Sequence, residues 1–395
     1  MMDYPPIALV IGASKEATYG IKVAQHLGFK VIAFDGDSKA EGLQLADEAH
    51  VVDIRDTNAI VTLLGGRIPT CVVPVPIGRW LVSAGFINDY FGLKGPGLSV
   101  CEICTDKYVF HKALHANGLR DAKCELITSG TSSLKSSFTF PVVIKPRYGS
   151  GSRAVRVFLA ENELDSYLQA ELPFEEDMVI ESVWIGKEYG VDGIVSDGKL
   201  KVVLLREKEI TSIPARQCVG YYGLPKELYQ YIYDEVECYL TQVNQAIGMH
   251  DCIFHADIII NDDGIFAIEL SPRPSGHNLH NLFTPMASGV DLIETYMKGV
   301  MGEAAHERSV IGQYLIHYFD FESCVIVNVP DESYLLSKYP IMSYSCNIRA
   351  GDYMEQVFDG HTLMRRGYFV LRGDSQGELD NLQDELKKEF EVKNL

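Results

Sequence analysis

Two apolar runs, Phe254-His255-Ala256-Asp257-Ile258-Ile259-Ile260 and Ile265-Phe266-Ala267-Ile268-Glu269-Leu270-Ser271, flank Asn261-Asp262-Asp263-Gly264 and commit this stretch to an antiparallel hairpin. With Asp262-Asp263-Gly264 as a three-residue loop and Gly264 left-handed, Asn261 pairs with Ile265 and Asp257 stands opposite Glu269. Phe254, Ala256, Ile258, Ile260, Phe266, Ile268 and Leu270 then share a face that packs on a core, and the carboxylates share the other. Like charges about 5 Å apart across a strand pair are destabilising unless a cation sits between them. Magnesium suits such a place, because it takes one or two carboxylates and fills its shell with water and phosphate oxygens. Ser271, two residues beyond Glu269, is a candidate weak ligand. Arg273 follows on the same side, where a guanidinium meets charge developing on a transferred phosphoryl group. The hairpin alone leaves a solvated acidic face open as the alternative.

The rest of the chain sorts into an α/β part and an α+β part. Apolar runs at Ile7 to Ile11, Lys30 to Phe34, Ala49 to Asp53 and Thr70 to Val75 alternate with helical spacing at Gly20 to Leu27, Thr57 to Leu64 and Trp80 to Tyr90. This predicts a doubly wound parallel-sheet domain over 1–98. Helix signals resume from Thr105 to Asn117. Short turn-separated strands follow at Pro141 to Lys145, Ala154 to Phe158 and Met178 to Glu181, then Glu188 to Val195 and Leu200 to Arg206 joined at Asp197-Gly198. A long helix is predicted over Lys226 to Ile247. A second domain is therefore expected over 99–302, with a smaller subdomain at about 120–182, and a small α+β domain over 303–395.

A net charge of -19, from 54 acidic and 35 basic residues, argues against nonspecific nucleic-acid binding. No stretch is long enough to span a bilayer, and the start of the chain lacks the basic head of an export signal. Nine scattered cysteines suit free thiols, so the expected location is the cytoplasm. Cys101 and Cys104 form a CxxC without a second pair or nearby histidine, which reads as two buried thiols on a helix.

Lys145 ends an apolar strand and precedes Pro146-Arg147-Tyr148-Gly149-Ser150-Gly151-Ser152-Arg153, a composition that brings an ammonium and close backbone N–H groups to phosphates. No Walker A motif occurs. A plain turn has the same composition, and Lys107 in Thr105-Asp106-Lys107 has a surface lysine as its default reading. The order is what is specific. Thr105-Asp106-Lys107, Pro141 through Arg153, Glu181 through Glu188 and Asp257 through Arg273 together resemble the ATP-grasp superfamily, over roughly residues 1 to 300.

The resemblance implies an ATP-grasp fold: a pre-ATP-grasp parallel-sheet domain, a lid subdomain with the glycine loop, an ATP lobe with the metal hairpin, and a small C-terminal domain. It implies that Lys107, Lys145 and the loop Gly149, Ser150, Gly151 and Ser152 hold ATP phosphates, that Glu181 and the Val183 backbone read adenine, and that Glu188 holds ribose. Asp257, Glu269 and Ser271 would bind Mg2+, with Mn2+ admissible, and Arg273 would stabilise phosphoryl transfer. Glutamate is commoner at the Asp257 position, and asparagine at that of Ser271. Arg206, Arg216, Ser275, Gly276 and His277 are substrate candidates, with Arg206 through Lys208 ending a strand that faces the cleft.

Chemically the resemblance implies transfer of the ATP γ-phosphoryl group to a small carboxylate, and attack on the acyl phosphate by an amine. The partners expected are those two small molecules, with a homodimer allowed and neither nucleic acid nor membrane involved. A purine-pathway transformylase or carboxylase is the competing enzyme reading, since Glu269-Leu270-Ser271-Pro272-Arg273-Pro274 also resembles the metal strand there. A nucleotide-binding protein without turnover is the reading from another class. An NAD-dependent oxidoreductase finds little support, because Gly12-Ala13-Ser14-Lys15-Glu16 is not a GxGxxG fingerprint. Neither NAD nor a biotin attachment is expected.

Overall fold

The computed structural model describes residues 5–128, 131, 134, 138–149, 154–212, 216–305, 308–357 and 360–394. The first sheet is parallel, in the order β3-β2-β1-β4, from β1 (Ile7–Ile11), β2 (Lys30–Asp35), β3 (Glu48–Val51) and β4 (Cys71–Val72). Its central strands are buried on both faces, which is why they read as unbroken apolar runs. Leu9, Ile11, Ile32 and Phe34 pack on the helices Thr57–Leu64 and Leu81–Phe91. Ala8, Val10, Val31 and Ala33 face the other way, onto Ile21 and Ala24 of the helix Thr18–His26 and onto Leu292, Ile293 and Met297 of the helix Leu292–Met301. That second face joins the N-terminal sheet to the body of the molecule.

A small antiparallel sheet follows, in the order β5-β8-β6-β7, from β5 (Cys124–Ile127), β6 (Val142–Pro146), β7 (Arg156–Phe158) and β8 (Met178–Ser182). Its own core of Ile127, Val142, Ile144, Phe158 and Ile180 closes against Leu164 and Leu168 of the helix Glu161–Glu171. This is the region expected as a subdomain.

The largest sheet runs β13-β12-β9-β10-β11-β14-β18-β16. It is built from β9 (Lys187–Ser196), β10 (Lys199–Ile210), β11 (Cys218–Leu224), β12 (Cys252–Asn261), β13 (Gly264–Ser271), β14 (Gln313–Tyr318), β16 (Ile341–Cys346) and β18 (Gly367–Gly373). β15 (Cys324–Asn328), β17 (Tyr353–Met354) and β19 (Glu391–Asn394) form a separate three-stranded sheet at the periphery. Asp197 and Gly198 both take positive φ, 49° and 75°, as the tight turn between β9 and β10 requires. The helix Lys226–Ile247 lays Tyr233, Val236, Leu240, Val243 and Ile247 along one stripe, against Val191, Val202, Phe254 and Ala256 of the sheet. β14, β18 and β16 come from the segment beyond 303, so the sheet runs without a break through the boundary where a third domain was expected.

The hairpin differs from expectation in its turn and agrees in its central pair. Asn261 pairs with Gly264 and Ile260 with Ile265, so the loop is two residues, Asp262 and Asp263, and the register begins one place off. A bulge between Asp257 and Ile258 on this ladder takes up one extra residue of β13, and Asp257 pairs with Glu269 after all. The inward set changes accordingly. Ala267 joins the core, Phe266 stacks on Trp184 at 4.4 Å between ring centres, and Ile268 turns to the cleft.

All nine cysteines are free, and Cys101 and Cys104 lie on the helix Leu98–Thr105. No helix among the described residues is long and apolar enough to cross a membrane.

The added strands are pinned by charge as well as by ladder bonds. Fully buried His317 on β14 stands 2.9 Å from Glu209 of β10 through Nδ1 and 3.2 Å from Asp320 through Nε2. Gln383 donates to Glu209 at 2.9 Å, and Lys387 pairs with Asp320 at 2.6 Å. Burial opposes protonation of His317, but the two carboxylates outweigh it and raise its pKa above the usual 6.5. The folded state therefore binds this proton more tightly than the unfolded one. Its contribution is complete below the unfolded value and is lost as pH rises through the raised one. His317→Gln is expected to lower the melting temperature more at about pH 6 than at about pH 9, measured as paired thermal melts against the parent chain.

Candidate active site

A cavity of about 650 Å³ lies between the small antiparallel sheet and the large one, closed at one end by loops of the N-terminal sheet. Its walls carry Lys107, Lys145, Gly149, Glu181, Val183, Glu188, Arg216, Asp257, Glu269, Arg273, Ser275, Gly276 and His277. The fold thus brings together most of the residues singled out from sequence. Ser150, Gly151 and Ser152 lie outside the described residues. Val143, Val155, Val157, Ile259 and Ile268 form an apolar stretch between the two sheets.

The lysine wall is built around a helix N-terminus. Asp106 caps the helix Lys107–Ala116, accepting from the amides of Tyr108 and Val109. The same carboxylate accepts from Arg147 at 2.6 and 2.9 Å and from the Tyr148 hydroxyl at 3.0 Å. Arg147 reaches on to Asp177 at 3.1 Å, and Arg79 lies over the Tyr148 ring at 3.8 Å. The start of the glycine loop is thereby tied to the helix that presents Lys107. Lys107 Nζ donates to the Gly149 carbonyl at 2.8 Å, and burial lowers its pKa.

Lys145 points inward from β6 and meets Glu181 at 2.5 Å. Arg120 and His111, neither singled out from sequence, hold the second oxygen of Glu181 at 2.7 and 2.9 Å. Burial pushes the Glu181 carboxyl up, yet His111, Lys145 and Arg120 together outweigh it and hold the group well below the usual carboxylate range. His111 itself is driven down to about 4 by burial, which makes it a neutral donor at physiological pH. Glu181 therefore touches the cavity as the centre of a buried cation cluster, with both oxygens engaged. The Val183 amide donates to the Pro141 carbonyl at 2.9 Å, so it too is engaged.

The opposite wall carries the acidic pair. Lys208 reaches Asp257 Oδ2 at 2.7 Å and approaches Glu188 at 3.9 Å, while Arg216 pairs with Glu188 from the other side. Burial opposes the charge on Asp257, but Lys208 and His255 outweigh it and lower its pKa. Burial and these carboxylates likewise compete at Lys208, and Asp257 with Glu188 prevails, raising its pKa. Asp257 Oδ1 is buried without a hydrogen-bond partner. His255 Nε2 stands 3.5 Å from it. Donor atoms of His255, Asp257 and Glu269 lie within 4.8 Å of one another. Ser271 pairs across the ladder with His255 and does not line the cavity.

Arg206, a substrate candidate from sequence, lies outside the cavity wall. It shares a face with Lys208 but sits deeper, fully buried beside Gly190, where a Cβ would come within 3.1 Å of the guanidinium. It pairs with Asp192 at 2.9 Å and lies 3.5 Å from the Ser275 hydroxyl. Asp192 also accepts from Ser275 at 3.2 Å and Thr284 at 2.6 Å. Arg206 lies beneath the turn after Arg273 and does not line the cavity. Above, the Glu16 carboxylate from the loop after β1 accepts the His277 amide at 2.6 Å, and Ser14, Lys15 and Glu16 line the cavity. These N-terminal contacts had no signal in sequence beyond their position after a parallel strand, where open α/β sheets collect ligands.

Residues 138–281 match the family described as the ATP-grasp domain, a span that contains Lys145, Glu181, both hairpin carboxylates and Arg273. Among solved structures, L-amino acid ligase from Bacillus licheniformis is similar with a TM-score of 0.78 at 16% identity, covering 100% of both chains. Phosphoribosylglycinamide synthetase from Anaerococcus prevotii gives 0.71 at 17%, covering 99% of this chain and 100% of that one. The biotin carboxylase domain of 2-oxoglutarate carboxylase from Hydrogenobacter thermophilus, in complex with MgADP, ADP and bicarbonate, gives 0.65 at 17%, covering 98% and 91%. At such identities the likeness is one of fold.

Glu181→Gln leaves Lys145 and Arg120 buried without their counter-charge. It is expected to destabilise the chain by about 3 to 5 kcal/mol in a denaturant titration. A stability unchanged by the substitution would mean that the carboxylate is not the centre of this cluster.

Proposed function

We propose that the chain, whose residues 138–281 match the ATP-grasp domain and whose fold is that of the ATP-grasp enzymes it resembles, is an ATP-dependent carboxylate–amine ligase acting on a small carboxylate such as an amino acid. The observation that carries the reading is the opposition of two charged walls in one cavity. Lys145 stands on the small sheet and Asp257 and Glu269 on the large one, and Lys107, Arg273 and the turn after it line the same cavity.

The nucleotide base belongs in the apolar stretch between the sheets, near Val143, Val157, Ile259 and Ile268, which places the phosphates toward the two lysines and the glycine loop. Glu188 is the candidate for the ribose hydroxyls, released from Arg216 when they arrive. The residues present fit a divalent ion: Asp257 keeps a buried oxygen without a hydrogen bond, and Glu269 faces it across the ladder. Magnesium or manganese bound there supplies fixed positive charge to phosphate oxygens.

The acceptor carboxylate is read beside Arg273, at the turn whose Ser275, Gly276 and His277 line the cavity. One carboxylate oxygen attacks the γ-phosphorus, the bond to the ADP oxygen breaks, and an acyl phosphate forms. An amine nitrogen then attacks the acyl carbon, phosphate leaves, and the nitrogen loses a proton. Alignment and electrostatics suffice for the first step, so no protein nucleophile is required.

ADP release measured across a panel of amino acids and ribotides tests the reading. Stimulation by ribotides alone overturns the amino-acid assignment in favour of a purine-type reaction, and nucleotide binding without phosphate release from any carboxylate favours a binding protein. Arg273→Ala and Glu269→Ala are each expected to lower turnover by about a thousandfold or more, with circular dichroism unchanged. Near-normal turnover in either overturns the mechanism.

A further inference from the structure

We propose that His255 is a third ligand of the divalent ion, giving a nitrogen and two carboxylates where an all-oxygen set was expected, and tuning the site toward Mn2+ or Co2+ over Mg2+. This rests on the metal pair of the reading above, and adds to it the donor that Ser271 does not provide.

Three observations converge on His255. It stands directly opposite Ser271 on the ladder, two residues before Asp257 and so on the same face as the carboxylate pair. Its Nε2 faces Asp257 Oδ1 at 3.5 Å, and that oxygen has no hydrogen-bond partner although it is buried. Two donors bound about 2.1 Å from one ion stand about 3.0 Å apart at a right angle and about 3.4 Å apart at the tetrahedral angle. The pair is thus already near coordinating separation. Glu269 is the remaining member of the cluster, with a carboxylate oxygen within 4.8 Å of the other two donors.

The other end of the ring is held from behind. Nδ1 lies 3.3 Å from Asp192 Oδ1, and Asp192 is buried, with Arg206 holding the same oxygen at 2.9 Å and Thr284 holding the other at 2.6 Å. Arg206 Nη2 also comes within 3.3 Å of Nδ1, but its nearer partner is Asp192. A carboxylate behind Nδ1 takes its proton in a hydrogen bond and leaves the Nε2 lone pair directed at the metal, the carboxylate–histidine–metal arrangement. Asp192 is a positioning residue in this scheme. Lys208 engages only Oδ2 of Asp257, which leaves Oδ1 for the ion. Imidazole nitrogen is a better ligand for first-row transition ions, Mn2+ the weakest of them, than for magnesium, which keeps to oxygen.

The test uses the full chain labelled with 15N-histidine, loaded with Mn2+ and ADP, and read by electron spin-echo spectroscopy. A 15N coupling is expected in the parent chain and absent in His255→Gln, whose fold is checked by circular dichroism. Calorimetric titration should show Mn2+ binding to His255→Gln weakened about tenfold or more. Mg2+ binding should fall by less than about threefold. Mn2+ that binds in a Glu269-dependent way without histidine coupling overturns the role of His255 while leaving the carboxylate pair intact. Failure of Mn2+ to bind at all overturns the metal pair itself. Equal loss of Mn2+ and Mg2+ affinity in the variant overturns the selectivity.

Discussion

One extra residue in β13 sets the geometry of the site. Without the bulge opposite Asp257, the two-residue turn at Asp262 and Asp263 would carry its register along the whole ladder and move Glu269 out of opposition. With it, Ile268 and Glu269 both reach the cleft side, while Ala267 and Leu270 stay in the core. A carboxylate pair is thereby placed next to an apolar surface, the combination a charged and partly aromatic ligand needs.

The remaining charges follow from the cost of burying ions. Three cations on the cavity wall and one beneath its floor are each met by an anion from a different element: Lys145 by Glu181, Lys208 by Asp257, Arg216 by Glu188 and, beneath the floor, Arg206 by Asp192. Such pairs repay desolvation only when their geometry is good, and breaking one leaves an uncompensated charge. Arg120, which also holds Glu181, lies 3.5 Å from the Ala267 carbonyl, and Arg206 lies 3.5 Å from the Ser275 hydroxyl, so the small sheet and the turn after Arg273 are each tied to the large sheet. The segment beyond 303 takes part in the same way, since the His317 cluster fastens β14 to the strand that carries Lys208.

Much of this was legible in the amino-acid order. The parallel sheet declared itself through strands apolar on both faces, the helix Lys226–Ile247 through its stripe, and the β9–β10 turn through Asp197-Gly198. Lys107, Lys145, Asp257, Glu269 and Arg273 line one cavity as their motifs implied. Local pattern failed where a partner was distant. Nothing near Glu181 in sequence announces Arg120 or His111. Alternation puts Arg206 and Lys208 on one face, and cannot show that one is sealed under the floor while the other lines the wall.

By itself the sequence determined the element types, the two charged walls and the order in which the chain delivers them, because periodicity and turn chemistry are local properties. Only the tertiary structure decided which charges face a ligand and which neutralise one another. That choice depends on pairings across 28 residues for Arg216 and Glu188, 61 for Arg120 and Glu181, and 261 for His277 and Glu16. It also depends on the burial that sets the cost of leaving any of them alone.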